Sequence, residues 1–416
     1  MSLATISIIV LVIAIAIGYF RNLNTGLVGL SLAMLFGTLV AGISAKKIIA
    51  FWPYSLCMTI MGITFLFAIA QKNGTLALVA NYMTKLANGK AKLLPFVFFL
   101  LPGILGFVGV SGPVVLAIVA PVVMAIGRSN KIPDLDITIS AVFGCLAGSL
   151  NSVNISGAIA KQLGTEAWAA TKMSGVFDYD TIFLGCLAIF TFEFLVAYFI
   201  RGMYRFKDVV ISEEKLELTT VHKLTIVITA LALFSILVLK TDTGLTAFLA
   251  GTVLLLLKCG KQNDAIAGIS WSTVILVGGM TMLIKVVGSV GGIQLIADKL
   301  GTVMTGNTAP SLLAVTASLM SSVSSASGVV MPSLIPTIPA LMQAIGDAHF
   351  VPMLIGIVFG AHAVTISPMS TLGALCLASS SEEHKGRLFT QQLIIAVVAS
   401  IATAVILYIL CVAKIY

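Results

Sequence analysis

The sequence predicts an all-α polytopic membrane protein, and three observations predict it. Of 416 residues, 59% are hydrophobic and 10% are charged, with a mean hydropathy of +1.10. A soluble domain cannot hide that much apolar surface. The apolar segments are long and lack the every-second-residue alternation of barrel strands. Polar, Gly- and Ser-rich breaks interrupt four of these segments at matching places in two halves. The expected architecture is an inverted-topology repeat with about 10 transmembrane helices, two re-entrant hairpins and two broken helices.

The net charge of +8 does not indicate nucleic-acid binding, because the Lys and Arg residues are spread through short loops and read as topology signals. The six Cys (57, 145, 186, 259, 376 and 411) are scattered, with no CxxC or Cys/His cluster. The first span, 3–20, has no basic segment before it and reads as a true span rather than a cleaved signal.

The first repeat is expected over 1–200. It has spans near 3–20, 26–44 and 54–71, then an interfacial amphipathic stretch near 75–89. The apolar segment 93–127 breaks at Gly109-Val110-Ser111-Gly112-Pro113. Each arm is too short to cross a core of roughly 30 Å, so a re-entrant hairpin is expected. A broken helix near 136–163 and a span near 179–200 complete this half. The mixed-charge segment 201–223 reads as a cytoplasmic linker. The second repeat, 224–416, has spans near 224–239, 243–257 and 271–287 and an interfacial stretch near 291–304. A hairpin at 310–346, a broken helix at 351–379 and a span near 390–411 follow.

The repeat shows as a near-constant offset. Gly62, Thr64, Gly74 and Ala80 match Gly279, Thr281, Gly291 and Ala297 at 217. Ser111-Gly112, Phe143-Gly144 and Gly157-Ala158 match Ser327-Gly328, Phe359-Gly360 and Gly373-Ala374 at 216. Five full spans per half would insert the halves in opposite orientations. Placing both termini outside leaves sixteen basic loop residues cytoplasmic and seven external. The cytoplasmic set includes Lys85, Lys90, Lys207, Lys215, Lys258 and Lys261, and the external set Lys46, Lys47, Lys172 and Lys414. That asymmetry predicts extracytoplasmic termini.

The polar breaks are the candidate substrate and ion site. A helix broken at mid-membrane exposes carbonyl groups to a cation and offers an N-terminus, with its positive dipole end, to an anion. Ser149, Asn151, Ser152 and Asn154 supply polar side chains in one half, and Thr365, Ser367, Ser370 and Thr371 in the other. The hairpin tips add Ser111, Gly112, Ser325, Ser327 and Gly328 as facing walls. Any single Ser or Gly in a span is more often a helix-packing residue, and Ser156 and Gly157 fit that description. The recurrence of the set argues for a site.

None of the four polar stretches holds Asp or Glu. Neutral oxygens suit Na⁺, or an anion held by dipoles, and suit Ca²⁺ and Mg²⁺ poorly. Proton coupling needs a titratable group within the membrane. His362 and Glu193 are the candidates, each also explicable as a packed, hydrogen-bonded side chain, while Lys285 reads as snorkelling from a span end. Trp52, Tyr54, Trp168 and Trp271 read as interface anchors, and Glu382-Glu383-His384-Lys385 as a solvated loop rather than a metal cluster.

The order of spans, interfacial helix, hairpin, broken helix and span, repeated inverted, resembles the ion transporter superfamily, which includes the divalent-anion:sodium symporters. Phe67-Ala68-Ile69-Ala70-Gln71-Lys72-Asn73-Gly74-Thr75-Leu76 and Leu94-Pro95-Phe96-Val97-Phe98-Phe99 resemble the N-terminal half of MatC-type dicarboxylate (malonate) carriers. The symporters carry Ser-Asn-Thr at both hairpin tips, where this chain has Val110-Ser111-Gly112-Pro113 and Ser325-Ala326-Ser327-Gly328, so that Ser111 and Ser327 alone carry over. The resemblance implies a homodimer in the cell (inner) membrane, with a mobile transport domain sliding like an elevator against a fixed scaffold.

The expected function is secondary active transport of a small organic anion, a dicarboxylate, coupled to Na⁺ or H⁺, with no cofactor beyond the coupling ion. The chain lacks GxxxxGK[ST] and so the usual ATP-binding loop. The alternatives are a cation/proton antiporter, for which Glu193 is the available carboxylate, and an intramembrane enzyme, for which His362 and nearby Ser residues would have to serve.

Overall fold

A computed structural model describes residues 2–21, 23–84, 91–171, 173–206, 217–322 and 324–413. Every regular element among them is helical, with no strand. The chain is an all-α polytopic membrane protein, and among the described residues eight helical segments are long and apolar enough to cross a membrane.

The first half runs α1 (Leu3–Phe20), α2 (Thr25–Met34), α3 (Ala45–Ala50), α4 (Tyr54–Lys72), α5 (Thr75–Thr84), α6 (Leu94–Phe107), α7 (Gly112–Ser129), α8 (Asp134–Ser149), α9 (Ile155–Thr171) and α10 (Tyr179–Ile200). The second runs α11 (Thr220–Leu237), α12 (Thr243–Leu256), α13 (Gln262–Ala267), α14 (Trp271–Ser289), α15 (Gly292–Gly301), α16 (Ala309–Ser321), α17 (Met331–Leu334), α18 (Ile338–Ile345), α19 (Phe350–Ala363), α20 (Thr371–Ser379) and α21 (Glu382–Val412). Both bounds of α1, α3, α4 and α5 recur in α11, α13, α14 and α15 at an offset of 217, and α8 and α9 start 216 residues before α19 and α20. α3 and α13, six residues each, are additional to the expected elements.

The second hairpin's outer arm, Ala326–Ile345, has 20 residues. It opens with a π-helical turn, Ala326–Val330, which Ser325 caps by accepting a hydrogen bond from the Gly328 N–H. Three expectations need correction. α21 begins at Glu382, so Glu382–Lys385 is a helix start and not a loop, with two glutamates in the first turn complementing the helix dipole. α2 ends at Met34, and a π-helical segment, Leu35–Val40, carries the chain on toward α3. Lys285 does not reach out of a span end alone, because it pairs with Glu166 of α9 at 3.3 Å.

Lys85, Lys90, Lys172, Lys207, Lys215 and Lys414, used for the expected orientation, lie outside the described residues, as do 85–89 of the interfacial stretch and 207–216 of the linker.

Glycines set how closely the central helices approach. A Cβ at Gly144 would lie 2.0 Å from the Phe99 carbonyl oxygen and one at Gly148 1.9 Å from that of Gly103, so α8 lies directly on α6. Gly356 and Gly360 do the same for α19 against the Pro310 and Ala314 carbonyls of α16. The outer arms touch both broken helices: α7 packs on α8 and on α20, while α17 and α18 pack on α9 and on α19. Each hairpin's outer arm therefore bridges the broken helices of the two halves.

Candidate functional site

The first broken helix parts at 150–154, between α8 and α9, and the second at 364–370, between α19 and α20. Each break closes on a glycine. A Cβ at Gly157 would lie 1.8 Å from the Asn151 carbonyl oxygen, and one at Gly373 2.1 Å from that of Ser367. Gly157 is thus a packing residue at the break itself.

Two cavities meet at the breaks. The larger, about 490 Å³, is lined by Gly112, Cys145, Ser149, Ser156, Ser321, Ser322, Ser324, Ser325, Ser327, His362, Thr365, Ser370 and Thr371, with Tyr19 and Thr25 closing one side. The smaller, about 330 Å³, is lined by Thr64, Gln71, Ser111, Gly112, Asn154, Ser156, Ser270, Thr273, Ser325, Ser327 and Gly328. Gly112, Pro113, Ser156, Ser325 and Ser327 line both. The hydroxyls of Ser156 and Ser327 are hydrogen-bonded at 2.9 Å and form the seam between them.

Neither lining contains Asp, Glu, Lys or Arg. Helix N-termini supply the electrostatics instead. Gly112 of α7, Ile155 of α9 and Thr371 of α20 stand on these walls; neither Ser111 nor Ser370 caps its helix through its side chain, whereas Asn154 Oδ1 accepts from the Ser156 N–H at the start of α9. The uncapped N–H groups of α7 and α20 and the positive dipole ends favour an anion.

Of the sequence-predicted residues, Ser111, Gly112, Ser149, Asn154, Ser325, Ser327, Gly328, Thr365, Ser370 and Thr371 line one or both cavities, and His362 lines the larger. His362 is buried, and its Nδ1 donates to the Val358 carbonyl at 2.7 Å. Three others lie elsewhere. Asn151 is buried among backbone carbonyls of the first hairpin. Ser152 faces a separate cavity with Lys161, Asp178, Asp180 and Lys240. Ser367 is buried beneath the second break, its hydroxyl accepting from the Met369 N–H. Glu193 also lines neither cavity: it is buried between α10 and α21, where Thr403 donates to Oε1 at 3.4 Å. Sequence reasoning missed Ser156 as a wall residue, along with Ser321, Ser322 and Ser324. The run of hydroxyls from 321 to 327 was the available signal.

Comparison with known proteins matches residues 1–149 to the family model for the dicarboxylate carrier protein MatC N-terminus and residues 231–415 to that for a citrate transporter. The N-terminal region is thus similar to MatC-type dicarboxylate carriers and the C-terminal region to citrate transporters. No curated protein sequence matches the chain. In fold it is similar to the YdaH transporter of Alcanivorax borkumensis (TM-score 0.59, 14% identity, covering 92% of this chain and 96% of that one). It is also similar to MtrF of Neisseria gonorrhoeae, described as illuminating a class of antimetabolite efflux pumps (TM-score 0.58, 14% identity, 98% and 95% coverage).

Proposed function

We propose that the chain carries a small organic di- or tricarboxylate across the cell (inner) membrane, coupled to Na⁺ or H⁺. One observation carries this reading: two helix N-termini without a side-chain cap, at Gly112 and Thr371, open onto serine- and threonine-rich cavities whose linings hold no charged side chain, and a third, at Ile155, stands beside them. The uncapped amides and the hydroxyls offer hydrogen bonds to carboxylate oxygens without a fixed cation that would hold the ligand too tightly to release. The family models support a carboxylate substrate, since one is named for dicarboxylates and the other for citrate.

The coupling ion needs oxygens. The hydroxyl oxygens of Ser149, Thr365 and Thr371 on the wall of the larger cavity are ligand atoms suited to Na⁺. Proton coupling is the second reading, favoured by His362 on the cavity wall; Glu193 would act only from outside the cavities. The paired helix bounds support two inverted repeats, 1–200 and 224–416, joined by a cytoplasmic linker. In this reading α6–α9 and α16–α20 move as an elevator against the remaining spans in a homodimer, with both termini outside.

The test is uptake of labelled malonate, succinate and citrate into proteoliposomes. Inward-directed sodium should raise the initial rate of at least one of them several-fold. Absence of uptake of every carboxylate, together with collapse of a proton gradient on adding Na⁺, would establish a cation/proton antiporter instead.

A further inference from the structure

The two breaks carry different side chains, and the difference decides how each hairpin tip is held. At the first break Asn151 Nδ2 donates to the carbonyls of Phe107 at 2.9 Å and Gly148 at 2.7 Å. Asn154 Nδ2 donates to those of Gly106 at 3.0 Å and Val110 at 2.8 Å. Three of these four carbonyls belong to the tip of the first hairpin, just before α7. Both side-chain oxygens accept backbone N–H groups within the break, from Val153 and Ser156. The two asparagines are therefore turned toward the hairpin backbone and not toward an ion.

At an offset of 216 the corresponding residues are Ser367 and Ser370. A hydroxyl has a shorter reach than a carboxamide and one proton where the amide has two. Ser370 Oγ donates to the Thr365 carbonyl at 2.9 Å and Ser367 Oγ accepts from Met369 N–H at 3.3 Å, so both stay within the second break. On the second tip, Ser324 donates back to Met320 and Ser325 accepts from Gly328, both inside the hairpin. Among the described residues, the side-chain hydrogen bond that runs from Ser324–Gly328 to an element outside the hairpin is that of Ser327 to Ser156. It lies between the two cavities.

We propose that Asn151 and Asn154 are positioning residues that weld the first hairpin to the first broken helix, and that the Ser324–Gly328 tip is the gate. The first tip then keeps the α7 N-terminus aimed into the cavity throughout the cycle. The second tip opens by parting Ser327 from Ser156, which exchanges one neutral hydrogen bond for bonds from both hydroxyls to a carboxylate. The π-helical turn Ala326–Val330 fits this role, as such turns concentrate at functional sites.

This inference rests on the transport reading, and its test separates the two. Ser156→Cys and Ser327→Cys are combined in a Cys145→Ala background, which removes the native thiol on the cavity wall. Because the pair replaces two hydroxyls of the site, it is compared with itself: oxidation should lower its uptake at least tenfold, and reduction should restore it to the reduced level. Equal uptake by the oxidised and reduced forms would overturn the gate. Failure of the Cys145→Ala parent to take up any carboxylate would overturn transport itself, and the gate with it. The positioning role has its own readout. Asn154→Asp keeps the shape but removes the donors, so labelling of Ser111→Cys by an impermeant maleimide should speed up at least tenfold. Unchanged labelling, with a raised KM alone, would make Asn154 a ligand and contradict the weld.

Discussion

Gly157 and Gly373 occupy equivalent places, each facing the carbonyl of the residue four before its helix begins, so that an added Cβ would collide with it. Gly157→Ala and Gly373→Ala each force a backbone shift, because the contacting atom is a carbonyl oxygen held by the break. Each substitution should cost about 1–3 kcal/mol of stability and lower uptake more than it lowers the unfolding temperature of unrelated helices would suggest. Thermal unfolding beside initial uptake rates checks this. At this scale the sequence revealed the atom types but not their direction. The surplus of Ser and Asn at 148–157 is plain in the chain. That the asparagines use their N–H₂ groups on the first hairpin depends on α6 lying against α8, a contact made by glycines whose significance emerges only in three dimensions. Ser156 looked like packing because a hydroxyl beside a glycine fits either role, and its partner lies 171 residues away.

Among the elements, α8 is anchored at both ends. Its break end is tied to the first hairpin through Asn151, and its start is tied to α10 and α21. Arg201 Nε donates to Asp136, while Ser380 donates to Asp134, with His384 Nδ1 3.5 Å from the same carboxylate. Asp136 is buried and the Arg201 side chain is 30% exposed. Removing one partner of a buried pair costs about 3–5 kcal/mol, and partial exposure places Arg201→Ala near the low end. The unfolding temperature in detergent should fall by several degrees, with Arg201→Lys recovering part of it. The Lys285–Glu166 pair between α14 and α9 is more exposed, at 37% and 41%. Lys285→Ala should therefore change stability by less than about 1 kcal/mol, measured the same way. Most element bounds were legible from apolar run length and from Asn-Gly or Gly-Gly punctuation. α3 and α13 were not, because six residues are too few for a helical period to stand out. The start of α21 was hidden by its charges, which serve the helix terminus rather than a loop.

For the whole molecule, the proposed inverted repeat makes a statement about sides. α3 and α13 share their bounds at an offset of 217, yet in an inverted repeat they lie at opposite membrane faces. Lys46 and Asn263, both exposed, report on this directly. An impermeant thiol reagent applied to intact cells should label Lys46→Cys and leave Asn263→Cys unlabelled until the membrane is opened. Labelling of both from one side would rule the inversion out. The fold class was readable from composition alone, whereas the cavities arise where the hairpin outer arms bridge the broken helices of the two halves, α7 between α8 and α20 and α17 between α9 and α19, which no local pattern encodes.

The central claim is that the cavities at the two breaks bind a carboxylate through helix N-termini and the hydroxyls of Ser156 and Ser327. Equilibrium binding of labelled malonate and citrate to the purified protein tests it most directly, with the Ser156→Ala/Ser327→Ala double variant alongside. The account predicts saturable binding of at least one of the two anions, competed by unlabelled carboxylates and weakened at least tenfold in the double variant. Binding of equal strength in the wild-type chain and the double variant would contradict it.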